Sequence, residues 1–253
     1  MTMDSVVLLA LGLAVILLVM AAILSARYNI WKEASISGAR AIIQLLILSS
    51  VIILVFNLPV YWSLLIVLAM AVIAGHTTYI RSGQLGGMFP ASAASIAITS
   101  LAMVVPFFII GIFPLEARYL VPTCSMMIGN AMNVSSLAID RYKGELRNRR
   151  GEVEAYLALG ASPDLATDHC LHQGILSALI PSIDNMKNLG LVWIPGVMTG
   201  MLLSGSDPVE AAAIQVCIFI AIYLVGMIAS NLLLLYATSS FFTKALQLKY
   251  ELL

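Results

Sequence analysis

Charge is what this sequence has least of. Of its 253 residues 10% are charged and 61% hydrophobic, against roughly 25% charged and 45–50% apolar in a soluble domain. A water-soluble globular fold is excluded. Cysteine is scarce too: Cys124, Cys170 and Cys217 stand far apart, odd in number and without a CxxC spacing, which argues against a disulfide framework or a cysteine zinc site. No GxxxxGK[ST] phosphate loop occurs, so ATP is not bound here in the usual way. His76, His169 and His172 form no HExxH and no serine pair, which removes the common zinc-hydrolase and nucleophilic arrangements. Deep intramembrane carboxylates, the usual mark of proton or sodium coupling, are nearly missing, with Asp184 the nearest case.

What remains is long apolar runs. About 20 mostly apolar residues cross a bilayer as a helix, and seven stretches qualify: Val6–Leu24, Ala39–Phe56, Trp62–Ile80, Ile96–Phe113, Tyr119–Ile139, Leu176–Leu203 and Val209–Ser239. They lack the period-two alternation of barrel strands, so the expected fold is all-α, a polytopic membrane protein with about seven spans. Met1–Asp4 has no basic flank and no cleavage site follows, so the first span is expected to be retained. No linker divides the chain, which reads as one membrane (permease) domain over 1–253. Turn residues mark short connections at Asn57-Leu58-Pro59, Pro114-Leu115-Glu116 and Gly205-Ser206-Asp207-Pro208.

Lys and Arg fall almost wholly on one side of these spans, with only Arg118 on the other. By the positive-inside rule the N-terminus is outside, the C-terminus is cytoplasmic, and so is the loop at about 140–173. A bacterial or archaeal plasma membrane is the expected location. The surroundings are lipid, and nothing in the charge pattern suits nucleic acid.

That loop carries dense local signals. Glu152 and Glu154 sit in the first turn of a short helix, where carboxylates meet the positive end of its dipole, and Val153, Leu157 and Gly160 recur at helical spacing. Gly160 suits the left-handed position after a helix, Ser162 an N-cap and Pro163 the first turn of the next helix. The pattern predicts two helices joined by a sharp bend.

Glu154-Ala155-Tyr156 followed by Gly160 resembles the EAA loop of ABC-transporter permeases, a short coupling helix that inserts into a groove of an ATPase subunit. Further motifs follow in order: Tyr119-Leu120-Val121-Pro122, Gly129-Asn130-Ala131-Met132-Asn133, Ser136-Leu137-Ala138-Ile139-Asp140-Arg141, Leu159-Gly160-Ala161-Ser162-Pro163 and Ile194-Pro195-Gly196-Val197-Met198-Thr199-Gly200. Together they resemble the FetB-type permease family of bacterial iron exporters and plant aluminium-tolerance permeases. The resemblance implies a homodimer of permease subunits docked on a separate cytoplasmic ABC ATPase, which would hold ATP and Mg; no cofactor is expected in this chain, nor any catalytic residue. Partner coupling would fall to Glu152, Glu154, Ala155, Leu157, Gly160, Ser162 and Pro163. Where that family usually carries Asn-Ser-Met-Met, this chain has Asp184-Asn185-Met186-Lys187.

Polar groups inside spans are costly and tend to face a bundle interior or a water-filled path. Gln44, Asn130, Asn133, Asp184, Asn185, Met186, Met198 and Thr199 are the candidate path residues, with interhelical hydrogen bonding as the competing role. Asp184 and Lys187, three apart on one helix face, are expected to form an ion pair near the cytoplasmic boundary. Met126, Met127, Met132, Met186, Met198 and Met201 flank the loop; thioethers suit soft ions but also fill gaps at moving interfaces, and the metal ligands, if any, stay open. Gly196 and Gly200 form a GxxxG behind Pro195, a helix contact or hinge. The expected function is export, of iron or another metal, free or complexed. The alternatives are a gradient-driven carrier and an ABC exporter of a non-metal cargo such as a sugar nucleotide.

Overall fold

In the computed structural model, residues 3–56, 59–243 and 247–249 are described. Asn57, Leu58 and Lys244 therefore lie outside the described residues. The described residues form α1 (Met3–Ala26), α2 (Trp31–Phe56), α3 (Val60–Arg81), α4 (Met88–Ile109), α5 (Ala117–Asn148), α6 (Arg150–Ala158), α7 (Pro163–Asn188), α8 (Gly196–Leu203) and α9 (Pro208–Ser240), with no strand among them. Five of these, α1, α2, α3, α4 and α9, are long and apolar enough to cross a membrane. The protein is a polytopic helical membrane protein.

The chain packs as two compact units, Met1–Leu58 and Pro59–Leu253. In the first, α1 and α2 form a hairpin turned through Asn29, whose φ is 58°. Gly38 of α2 packs so closely on Leu18 of α1 that a larger side chain would collide with it.

In the second unit α5 is the axle, packed by α3, α4, α7 and α9. Small residues let these helices approach. A Cβ on Gly75 of α3 would lie 2.5 Å from the Ala93 Cα of α4, and this proximity lets the Ser92 hydroxyl donate to the Gly75 carbonyl at 2.8 Å. Ser136 of α5 donates to Thr78 of α3 at 3.3 Å. Buried apolar side chains form two clusters: one around Tyr142, Leu146, Val153, Cys170 and Phe241, the other around Val67, Ile96, Cys124, Met127 and Val225.

Three expected spans need revision. The fourth starts earlier and stops sooner, at Met88–Ile109: the small residues Ala91–Ser95 that dilute its hydropathy are what α3 packs against, and Gly111 at φ 84° ends it. Span five is not among the five apolar helices. Asn130, Asn133, Ser135 and Ser136 dilute it, and neighbours on several sides make an apolar surface unnecessary there. The stretch Leu176–Leu203 is not one helix. It breaks between α7 and α8, where Gly190 takes φ 73° and Pro195 has no amide hydrogen to carry a helix back through it.

Candidate functional site

Helix α5 runs unbroken to Asn148, some nine residues past Ile139, and passes through Arg149 into α6. Nine residues are too few for a helix to stand alone, since isolated helices under about 12–15 residues are marginal in water. Packing holds α6: Val153 is 1% exposed within the cluster around Tyr142 and Leu146, and Leu157 packs against the same cluster. Ion pairs line its outer side, Arg149 with Glu145 (3.3 Å) and Glu152 (3.1 Å), and Arg150 with Glu154 (3.1 Å).

The bend follows the expected chemistry. Gly160 has φ 89°, the Ala161 amide donates to the Tyr156 carbonyl and the Gly160 amide to the Leu157 carbonyl, each at 3.0 Å, the paired bonds of a helix closed by a left-handed residue. Ser162 Oγ then accepts from the Leu165 amide at 3.3 Å, and Pro163 opens α7. The elbow's tip is apolar and uncovered, with Leu159 85% exposed and Leu165 66%. Glu152, Ala155, Gly160 and Ser162 are exposed around it, while Glu154, Leu157 and Pro163 are half-buried. Between α6 and α7 lies a cavity of about 320 Å³ bordered by Arg149, Glu152, Tyr156, Asp168 and His169. Below it, burial pushes the Cys170 thiol up to about 11.

The second region lies along α7. Gly174 rests on α5, where a Cβ would meet the Ala138 carbonyl oxygen and the Tyr142 Cα at 3.2 Å. At about 1.5 Å rise per residue, Asp184 lies about 15 Å further along α7, past Leu179, the last buried residue of that helix. Past the end of α7, the Trp193 ring meets the Phe219 ring of α9 at 5.7 Å, and the Met198 amide donates to Gln215 Oε1 of α9 at 3.0 Å. Asp184 and Lys187 form the expected pair, 3.3 Å apart with both side chains more than half exposed.

The candidate path residues are not gathered into one cavity. Asn130 donates its side-chain amide to the Ile222 carbonyl at 2.8 Å and so ties α5 to α9. Asn133, Asp184, Asn185 and Thr199 are exposed, Met186 and Met198 half-buried; Thr199 donates to the Pro195 carbonyl at 3.0 Å. Gln44 is exposed on α2 of the first unit. Of the six methionines, Met126 and Met201 share a cavity of about 370 Å³ at the far end from the elbow, with Arg118, Thr123 and Glu210. Gly196 and Gly200 touch nothing within 4 Å of where a Cβ would stand. Among the described residues no three His, Cys, Asp or Glu side chains converge to hold a metal ion.

One residue escaped the sequence reading. Gln215, 4% exposed, supplies the acceptor that caps α8, and its signal was a lone amide within the apolar run Ala213–Ile222.

Five apolar helices and a capped elbow between α6 and α7 define a polytopic helical membrane protein. Residues 7–242 match the model of the family described as Uncharacterised protein family (UPF0014), and the chain belongs to that family. It is 33% identical over 245 residues to UPF0014 membrane protein YjkA of Bacillus subtilis, covering 95% of this chain and 98% of that protein. It is 33% identical over 237 residues to UPF0014 membrane protein STAR2 of Oryza sativa subsp. japonica, covering 93% and 83%. To the protein of Escherichia coli named "Probable iron export permease protein FetB" it is 30% identical over 212 residues, covering 83% and 82%. No solved structure matches.

Proposed function

We propose that this chain is the membrane subunit of an ATP-driven exporter, in which a separate cytoplasmic ABC ATPase holds ATP and Mg and pushes on the elbow at Arg150–Pro163. The observation that carries the reading is the elbow itself: a helix too short to be stable alone, clamped by Val153, closed at Gly160, recapped at Ser162, and ending in an uncovered apolar tip with Glu152 and Glu154 beside it. Such a body moves as a unit, whereas a floppy loop would dissipate a push. The export permease among its relatives supports direction and cargo class, so the elbow side is assigned to the cytoplasm, the N-terminus to the outside, and the cargo to iron or another metal. With no convergent ligand set among the described residues, a complexed metal fits better than a bare ion.

Gly160→Pro, or Glu152→Lys with Glu154→Lys, is expected to abolish capture of the ATPase while leaving membrane insertion intact. Capture at wild-type levels by both variants would end the assignment. The second reading is a gradient-driven carrier, whose coupling needs a carboxylate within the membrane, Asp184 being the nearest case in this sequence. Transport that persists without ATP and collapses with an ionophore would select it.

A further inference from the structure

Asp140, Lys143, Gly144 and Arg147 follow one another on α5 at the spacing of a single helix face, and together they line a cavity of about 250 Å³. Gly144 is its floor. Glycine is the poorest helix former after proline, and nothing stands within 4 Å of where a Cβ of Gly144 would be, so no neighbour among the described residues calls for the missing side chain. The space is open to a group from outside.

The walls gather positive charge. The Lys143 ammonium donates to the Ser82 carbonyl at 3.4 Å, which uses one of its three hydrogens. Burial lowers its pKa below the ordinary value, with Asp140 acting the other way and Arg147 adding to the lowering. Burial raises the Asp140 carboxyl, against the pull of Arg81 of α3, then Lys143 and Arg141. Four cations thus gather about one carboxylate, while Glu145, next along the helix, is taken up by Arg149 at 3.3 Å.

The helices beside the cavity fix its depth. Both α3 and α4 are long and apolar enough to cross a membrane, so residues 82–87, which join them, lie at a membrane surface. Aromatic rings stand at the same level, Tyr79 meeting Phe89 at 6.1 Å and His76 meeting Phe89 at 5.9 Å, as aromatic side chains do among headgroups. Lys143 touches this connection through Ser82. Arg147 stands one turn further, about 6 Å at 1.5 Å per residue, which is within a headgroup layer of roughly 5–8 Å. Leu85 and Met88 share a buried cluster with Leu146 and Val153, so this is the surface from which the elbow projects.

We propose that Lys143 and Arg147, over the open floor at Gly144, bind the phosphate of an anionic lipid headgroup at the membrane surface on the elbow side. Lipid is the source because the cavity lies at headgroup level, where basic pockets between helices meet lipid phosphate. The proposal is independent of the cargo, its direction and the ATPase.

The test uses the full-length chain in a mild detergent, with phosphatidylglycerol or phosphatidylcholine added in equal amounts and bound lipid counted by native mass spectrometry. Wild type is expected to hold phosphatidylglycerol in preference to phosphatidylcholine. From the usual contribution of a basic residue near a lipid surface, Lys143→Gln or Arg147→Gln should weaken that retention about fivefold and the two together about thirtyfold. Gly144→Leu keeps both charges and suits a helix better; it should also weaken retention, by filling the floor, with an unfolding temperature at or above that of wild type. Asp140→Asn should tighten retention by removing a repulsion, whereas Arg27→Gln, in the other unit, should leave the preference unchanged.

Equal retention of the two lipids by wild type, or wild-type retention by both Gly144→Leu and the double variant, overturns the proposal. Inorganic phosphate added in place of lipid separates the sources: phosphate bound by wild type and lost in the variants, with no preference between the lipids, would give the cavity to a free anion. Variants that keep lipid as wild type does but no longer capture the ATPase would give it to acidic side chains of that partner.

Discussion

Replacing Val153 with alanine tests what holds the elbow rigid. Val153 is the one buried residue of α6, and truncating it removes two methyl groups' worth of buried surface. At about 0.8 kcal/mol per buried carbon, with a further cost for the cavity left behind, the loss is about 2 kcal/mol. The ion pair from Glu154 to Arg150 joins side chains 42% and 54% exposed, and exposed helical pairs of this kind contribute about 0.3–0.5 kcal/mol. Packing should therefore win. At tenfold per 1.4 kcal/mol, Val153→Ala should raise the undocked fraction of α6 roughly thirtyfold, and Glu154→Ala only about twofold. Hydrogen exchange read by mass spectrometry on peptides covering Arg150–Ala158 measures both. If Glu154→Ala loosens α6 as much as Val153→Ala, or if Val153→Ala leaves its protection unchanged, the elbow is held by charge or by something else.

Gly75→Ala should split α3 from α4, because the new methyl meets backbone atoms of Ala93 at 2.5–2.6 Å and the Ser92–Gly75 bond is lost with it; a destabilisation at or above the upper end of about 1–3 kcal/mol for overpacking would appear as a lowered unfolding temperature in detergent, and an unchanged value would refute the close approach. Cys170 should resist alkylation in the native protein from pH 7 to 9 and react once denatured, since burial, aided by Glu145, holds its thiol protonated up to about 11 and only the thiolate attacks. Because the unfolded thiol ionises first, raising the pH from about 9 toward 11 should also destabilise the fold; rapid native alkylation at pH 8 would contradict both expectations.

The elbow was legible because its signals are local. Gly160, Ser162 and Pro163 each specify a backbone conformation within a few residues, and the structure realises all three. The apolar spans were legible for the same reason, since lipid selects composition over a short window. What failed was everything that depends on neighbours. Hydropathy averaged through Leu189–Pro195 and hid the break, although Gly190 and Pro195 mark it. How α7 sits against α5 is set where Gly174 rests on Ala138 and Tyr142, and no window of sequence contains both sides of that contact. Gln215 was passed over because a single amide hardly lowers the hydropathy of its span, while its role requires α8 to end its first turn opposite it.

Helix α7 joins the two regions mechanically. Its first turn is fixed by Ser162 at the elbow, its flank by Gly174 on α5, and its last turn carries the Asp184–Lys187 pair and leads directly into the break. Of its 26 residues, those from Pro163 to Leu179 include the buried positions Ala166, Thr167, Cys170, Gly174, Ala178 and Leu179, whereas none beyond Leu179 is buried. Pro181 falls at that change, removing one backbone hydrogen bond where packing no longer supports the helix. Compliance is therefore concentrated at Pro181 and again at residues 189–195, on either side of the charged pair, while the elbow half is stiff. In the proposed exporter, a displacement applied at the elbow would pass along the packed half of α7 with little loss and be expressed as a change in angle beyond Pro181, on the stretch that carries Asp184, Asn185 and Lys187.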